Sequence, residues 1–220
     1  GKIYTALGLM SGTSMDGVDA SIIKSDGDRE YSIKMDEYFE YGGELRQKLI
    51  NIREKVLVLD DLKSYSEEIK SIEREITLFH ANAVNKILEI SKIKIDFLGF
   101  HGHTIFHDPK KKITKQLGDG NMLSQLTKKL VVYDFRQNDL KNDGQGAPLV
   151  PIYHNLLVKT FKEKGIIKLP IIILNIGGIA NITSINESYK MTSMDIGPGN
   201  CLIDKWVIVN SNKNFDKNGD

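Results

Sequence analysis

Leu9-Met10-Ser11-Gly12-Thr13-Ser14-Met15-Asp16-Gly17-Val18-Asp19-Ala20 places a small-residue turn between two apolar runs near the start of the chain. Ile3 to Leu9 reads as one buried strand and Val18 to Ile23 as a second, because β-branched and apolar side chains suit a covered, pleated surface. Between them stand two glycines, three hydroxyls and one carboxylate. Glycine lets backbone N–H groups approach an anion, hydroxyls donate to phosphate oxygens, and Asp16 can hold magnesium directly or through water. That inventory points to a phosphate-handling hairpin and to nucleotide chemistry. The plainer alternative is an ordinary β-turn with locally bonded hydroxyls and a solvated Asp16.

The bulk properties narrow the partners. The 220 residues, 40% of them hydrophobic, suffice for one large domain or one and a half typical ones. Thirty basic residues against twenty-nine acidic give a net charge of +1, so nothing electrostatic points to nucleic acid or an anionic membrane. Small molecules become the expected partners. The single cysteine, Cys201, excludes an internal disulfide and a cysteine-based zinc cluster, which fits a reducing cytosol. No secretion signal is read at the start. The most apolar tract, Ile166 to Ile182, is interrupted by Lys168, Pro170, Asn175 and Gly177-Gly178, too short and polar to span a bilayer. A cytoplasmic protein is expected.

Tyr31 to Phe39 adds a third strand, giving three antiparallel strands first. Gly42-Gly43 then precedes a helical pattern at Leu45, Leu49, Ile52 and Val56. Asp60 or Asp61 can cap a long helix with one stripe at Leu62, Tyr65, Ile69, Ile72, Ile76, Phe79, Ala83 and Ile87, which reads as the cover of the sheet. An alternating pattern follows: strand near Ile95 to Phe100, helix near Asn121 to Lys129, strand at Leu130 to Tyr133, helix near Val150 to Lys162. Ile171 to Asn175, a Gly177-Gly178 turn, Ile179 to Ile185 and Tyr189 to Met194 then form a second β-meander. The chain starts the same theme twice.

Four constellations could carry chemistry. Asp195-Ile196-Gly197-Pro198-Gly199-Asn200 follows a strand and precedes the helical run Cys201 to Val209, so Asp195 is either a general base toward a bound hydroxyl or water, or a helix cap. Asp134-Phe135-Arg136 ends an apolar strand before the polar loop Gln137 to Gly146. On extended backbone its carboxylate and guanidinium share a side and could clamp a sugar hydroxyl and an anion, or simply pair with each other. His101 and His103 share one face of a strand, with His107 beyond, but only Asp108 could complete a metal set, and hydrogen-bonded or ligand-contacting histidines are commoner. Gln116 to Asn121 reads as a turn plus N-cap, with a substrate loop as the alternative. Cys201 reads as a packed side chain rather than a nucleophile.

Together with the opening hairpin, His101-Gly102, Asp134-Phe135-Arg136, Gly144-Gln145-Gly146-Ala147-Pro148-Leu149-Val150-Pro151, Asn175-Ile176-Gly177-Gly178-Ile179-Ala180-Asn181 and Gly197-Pro198-Gly199-Asn200 resemble, in order and from end to end, the anhydro-N-acetylmuramic acid kinases. The resemblance implies an α/β chain of the ribonuclease-H-like actin, sugar-kinase and Hsp70 fold, with ATP and sugar meeting between two lobes. Residues 1–135 would be the N-terminal lobe with the phosphate-binding hairpin, and residues 136–220 the start of the second lobe with the catalytic aspartate. The implied reaction opens 1,6-anhydro-N-acetylmuramic acid with water and phosphorylates it to N-acetylmuramic acid 6-phosphate, in peptidoglycan recycling.

Carried over residue by residue, Asp195 is the matching general base. Gly12, Thr13, Ser14, Met15, Asp16, Gly17, Val18 and Asp19 match the ATP loop, with Mg2+ at Asp16. His101, Asp134, Arg136, Gly197 and Asn200 are expected around sugar or phosphate. A homodimer is possible, and the near-neutral charge gives no nucleic acid or membrane partner. Three departures stand out. His103 occupies a position where the family usually has glutamine, and Ile196 one where it usually has threonine. The chain stops at Asp220 whereas the family continues through most of a second lobe, which implies a C-terminally short chain with half a cleft. Two rival readings follow: an inactive remnant of such a kinase, separable by the length of the product in the cell, and a non-sugar ATPase on the same fold, separable by whether ADP release needs sugar.

Overall fold

The computed structural model describes residues 1–213 and Asp216. The chain divides into two compact units, Gly1–Ala147 and Pro148–Asp220. In chain order the first contains β1 (Tyr4–Met10), β2 (Gly17–Ser25), β3 (Tyr31–Glu40), α1 (Gly43–Lys55), α2 (Asp61–Ser64), α3 (Ser66–Ser91), β4 (Phe97–Phe100), β5 (His103–Asp108), β6 (Ile113–Leu117), α4 (Gly120–Thr127), β7 (Val131–Tyr133) and α5 (Phe135–Lys141).

Five of these strands form a mixed sheet in the order β3-β2-β1-β4-β7. The β1/β2 and β2/β3 pairs are antiparallel, and the β1/β4 and β4/β7 pairs parallel. Alternation along β1 and β2 drives the packing: Leu7, Leu9, Val18, Ala20 and Ile22 are buried in one core with Ile69, Ile72, Ile76, Val84 and Ile87 of α3. Each of the Leu, Ile and Val side chains contributes roughly 1.5–3 kcal/mol when fully buried. This core fixes the strand ends from which the turn 11–16 projects.

Four sequence expectations change on contact with tertiary structure. The long stripe is split at Tyr65, whose φ of −104° and ψ of 21° separate α2 from α3. Neither Asp60 nor Asp61 caps that helix; the Asp61 carboxylate instead accepts the Leu57 and Val58 N–H groups in the preceding turn. The antiparallel β5/β6 hairpin was not expected, because its polar strands and the lysine tract between them lack an apolar run. The start of the expected polar loop is α5, which packs on β6 and thereby carries the first unit past the boundary expected at residue 135.

The second unit contains α6 (Pro151–Glu163), β8 (Ile171–Ile176), β9 (Ile179–Ile185), β10 (Met191–Pro198) and α7 (Asn200–Asn210). Its sheet is an antiparallel meander, β10-β9-β8, turned at Gly177-Gly178. His154 of α6 reaches it through an Nδ1 contact of 2.8 Å with the Thr183 hydroxyl. β10 starts later than Tyr189, which sits in a turn at φ 60° closed by the Asn186 carbonyl and amide oxygen. The strand runs on through Pro198, beyond the end expected at Met194. Among the described residues no helix is long and apolar enough to cross a membrane.

Candidate active site

The turn between β1 and β2 is tied down at both ends. Ser11 is buried and accepts a hydrogen bond from the Tyr41 hydroxyl at 2.8 Å, with His103 Nδ1 at 3.0 Å on its other side. At the far end the Asp16 carbonyl accepts the Tyr41 backbone N–H at 2.8 Å. Between these anchors Met15 adopts a left-handed φ of 53°, its side chain buried in the core and its N–H donating to the Gly12 carbonyl. Thr13 and Ser14 are exposed at the tip, where Arg53 Nη1 donates to the Thr13 carbonyl at 3.3 Å.

Not every residue of the expected loop can reach a ligand with its side chain. Met15 and Val18 are core residues, so only their backbones are free to do so. Gly17 lies within β2, where a Cβ would overlap the Phe39 carbonyl oxygen. Asp16 is half-buried and its Oδ1 accepts the Ser14 hydroxyl. Asp19 stands on the solvent side of β2, its pKa raised by partial desolvation against its neighbours and by the charges of Asp16 and Asp36. Burial and the charges of Asp16, Glu40 and Asp19 push the Tyr38 hydroxyl up to about 12. This concentration of carboxylate at the hairpin favours a cation bound there.

His101 and His103 do not share a face. Gly102 between them takes φ 73° and breaks strand alternation, so His103 turns into the core while His101 meets Arg136. Arg136 Nε donates to His101 Nε2 at 2.8 Å, and His101 Nδ1 donates to the Gly102 carbonyl at 2.9 Å. Burial, then Arg136, lowers the His101 pKa, which keeps the accepting nitrogen unprotonated. Asp134 and Arg136 are not on extended backbone: Asp134 takes φ 63° and is the N-cap residue of α5, in which Arg136 lies, so the expected shared side is lost. His107 Nδ1 contacts the Thr114 hydroxyl at 3.2 Å. Among the described residues no cluster of three or more His, Cys, Asp or Glu could hold a metal by itself.

In the second unit Asp195 lies inside β10, neither at its end nor on a helix cap. It stands opposite Asn181, which stands opposite Asn175, so one cross-strand row aligns a carboxylate with two amides. Side chains directly opposite one another lie about 5 Å apart at Cβ. Asn181 Oδ1 is buried and without a hydrogen-bond partner among the described residues. A bulge separates Asp195 from Gly197, which takes φ 148°. The Gly178 and Gly177 carbonyls accept the Gly199 and Asn200 N–H groups at 2.9 and 2.8 Å, and Asn200 Nδ2 donates to the Ile176 carbonyl at 3.4 Å. The Gly-Gly turn and the Gly-Pro-Gly-Asn segment are thus one stitched structure beside the carboxylate. Cys201, next on α7, is exposed rather than packed as expected.

Sequence reading missed two residues of the first region. Tyr41 lies outside the glycine-rich signature, and His80 sits on the long helical stripe, its Nδ1 donating to the Ile76 carbonyl at 2.7 Å. The spacing of His80 four residues after Ile76 on an otherwise apolar face was the signal for its burial.

Comparison with known proteins agrees with these motifs. The family model described as anhydro-N-acetylmuramic acid kinase matches residues 4–220. A protein of that name from Pelagibacter ubique (strain HTCC1062) is 54% identical over 222 residues, 99% of this chain and 58% of its own. Relatives of the same name from Rhizobium etli and Agrobacterium fabrum are 41% and 39% identical, over 99% and 100% of this chain and 59% of each of theirs. The chain therefore spans just under three-fifths of the length of these relatives. Two solved Ppx/GppA structures from Aquifex aeolicus align with 93% of the chain and 54% and 56% of theirs, at 11% and 10% identity and TM-scores of 0.39 and 0.40, too slight a likeness to carry an inference.

Proposed function

The chain belongs to the anhydro-N-acetylmuramic acid kinase family, and from that premise we propose that the protein opens 1,6-anhydro-N-acetylmuramic acid with water and phosphorylates it from ATP. The product is N-acetylmuramic acid 6-phosphate, and the setting is cytoplasmic recycling of peptidoglycan. The family match across residues 4–220 carries this reading. The strand order β3-β2-β1-β4-β7, antiparallel then parallel, supports the ribonuclease-H-like lobe of actin-like sugar kinases for the first unit.

Asp195 is the general base. It takes one proton from a water whose oxygen forms a bond to the anomeric carbon, the bond from that carbon to O6 breaks, and O6 takes the γ-phosphoryl group as ADP leaves. Asn181 stands opposite it across the β9/β10 ladder, within reach of the carboxylate, and the bulge at Ile196 with the Gly197 φ opens the backbone at that point. Backbone N–H groups of the 11–16 turn and the exposed hydroxyls of Thr13 and Ser14 suit phosphate oxygens. His101 fixes the Arg136 guanidinium toward an anionic or hydroxyl group of the substrate, with Asp134 adjacent.

Asp16 fits magnesium: it is one hard carboxylate in an acidic neighbourhood, and magnesium usually takes one or two carboxylates together with substrate phosphates. When bound, the ion neutralises phosphate charge. The test is ADP release by the purified protein with ATP and magnesium, with and without the anhydro sugar. Sugar-dependent release is expected; release indifferent to the sugar overturns the reading.

A further inference from the structure

The loop between β1 and β2 has a buried suspension that the reaction itself does not use. Ser11, Tyr41 and His103 are 3%, 3% and 1% exposed, so water does not compete for their hydrogen bonds. Tyr41 grips both ends of the turn, with its hydroxyl on Ser11 Oγ and its backbone N–H on the Asp16 carbonyl. Its ring stands edge-on to Phe79 of α3, with centroids 4.7 Å apart, which fixes where that grip is applied.

Hydrogen-bond direction follows from donor supply. Tyr41 donates to Ser11, so the Ser11 hydroxyl has its own hydrogen left, and His103 Nδ1 at 3.0 Å is the acceptor. A neutral imidazole with an accepting Nδ1 carries its proton on Nε2. That nitrogen is buried and without a partner among the described residues, so the Ser11 bond alone orients the ring by hydrogen bonding. Burial favours the neutral form, in agreement with this direction.

We propose that His103 is a positioning residue for the nucleotide loop: it accepts the Ser11 hydroxyl proton and completes a one-way chain, Tyr41 to Ser11 to His103, that anchors the first residue of the loop to β5. The role rests on the reading of this loop as the nucleotide site. His103 itself touches no nucleotide; it acts through Ser11. Glutamine can do the same work, because its amide oxygen accepts a hydroxyl proton, whereas leucine fills the space without accepting one.

Two measurements on the 220-residue chain separate the chain of hydrogen bonds from its purpose. Imidazole ¹⁵N spectra at neutral pH should show His103 as the Nε2–H tautomer, with a signature that moves in Ser11→Ala. A proton on Nδ1, or no response to Ser11→Ala, overturns the proposal. Calorimetry with ADP and magnesium should show about tenfold weaker binding in His103→Leu and a change of less than about threefold in His103→Gln. Unchanged affinity in a folded His103→Leu overturns the role. Should that variant not fold, Ser11→Ala is expected to show the same tenfold loss, and its absence is equally decisive. Absence of ADP binding by the unsubstituted chain, with the expected tautomer intact, overturns the nucleotide reading and this role with it.

Discussion

Arg136 Nε donates to His101 Nε2 across 35 positions of sequence, so a helix of the first unit and the loop after β4 present one preset guanidinium. The bond needs an imidazole lone pair, which the His101 Nδ1–H bond to Gly102 secures. Arg136→Met should lower kcat/KM for the sugar about 10- to 100-fold, the range for losing a hydrogen bond to a charged group. Steady-state kinetics on the folded variant check this, and unchanged kcat/KM would remove Arg136 from the site.

Acid should weaken the fold through its buried histidines. His80 and His103 are held down to about 4, mainly by burial, and burial also lowers His101 and His154. A depressed histidine leaves the folded state binding fewer protons than the unfolded chain, so stability is full above about 6.5 and falls as pH drops toward 4. Each of the two most buried imidazoles contributes on the order of 3 kcal/mol over that window. Urea midpoints should fall markedly between pH 7 and pH 4.5; coincident unfolding curves would contradict the burial argument.

Gly17 is a steric requirement of the hairpin rather than a conformational one. A Cβ would overlap the Phe39 carbonyl oxygen and lie 2.8 Å from the Tyr38 ring, so β2 and β3 must part to admit it. Gly17→Ala should cost roughly 1–3 kcal/mol, while Gly8→Ala in the neighbouring strand, with nothing within 4 Å of its Cβ, should stay within about 0.5 kcal/mol. Denaturant unfolding of both variants decides between steric and generic glycine effects.

Asn181→Leu tests the row that holds Asp195. Removing the amide opposite Asp195, the proposed base, should reduce kcat about tenfold or more with little change in KM for either substrate, because in the proposed mechanism Asn181 acts through Asp195. A rise in KM alone would reassign Asn181 to ground-state binding.

Much of this architecture was legible in local pattern. The first three strands, the α3 stripe and the β8/β9 turn announce themselves through period-2 and period-3.6 apolar spacing and glycine punctuation. What stayed hidden was set by distant contacts. The polar β5 and β6 strands pair with each other away from the main sheet, and α5 forms on a left-handed Asp134 that no local rule anticipates. The site followed the same division. The 12–19 loop stands out as small and polar residues between two apolar runs, and Asp195 as a carboxylate just before Gly-Pro-Gly-Asn, but Tyr41 is 30 positions from Ser11 and His103 is 92 positions from it. The Asn175-Asn181-Asp195 row needs strand register, which holds through Asp195 and shifts only at the bulge after it.

Product formation is the most direct measure of the central claim. Wild-type protein and Asp195→Asn are incubated with ATP, magnesium and 1,6-anhydro-N-acetylmuramic acid, and N-acetylmuramic acid 6-phosphate is quantified by mass spectrometry. The account predicts sugar phosphate from the wild type and a loss of at least about a thousandfold in the variant, as expected for removing a general base in a positioned site. Equal product from both proteins, or ADP without sugar phosphate from the wild type, would contradict it.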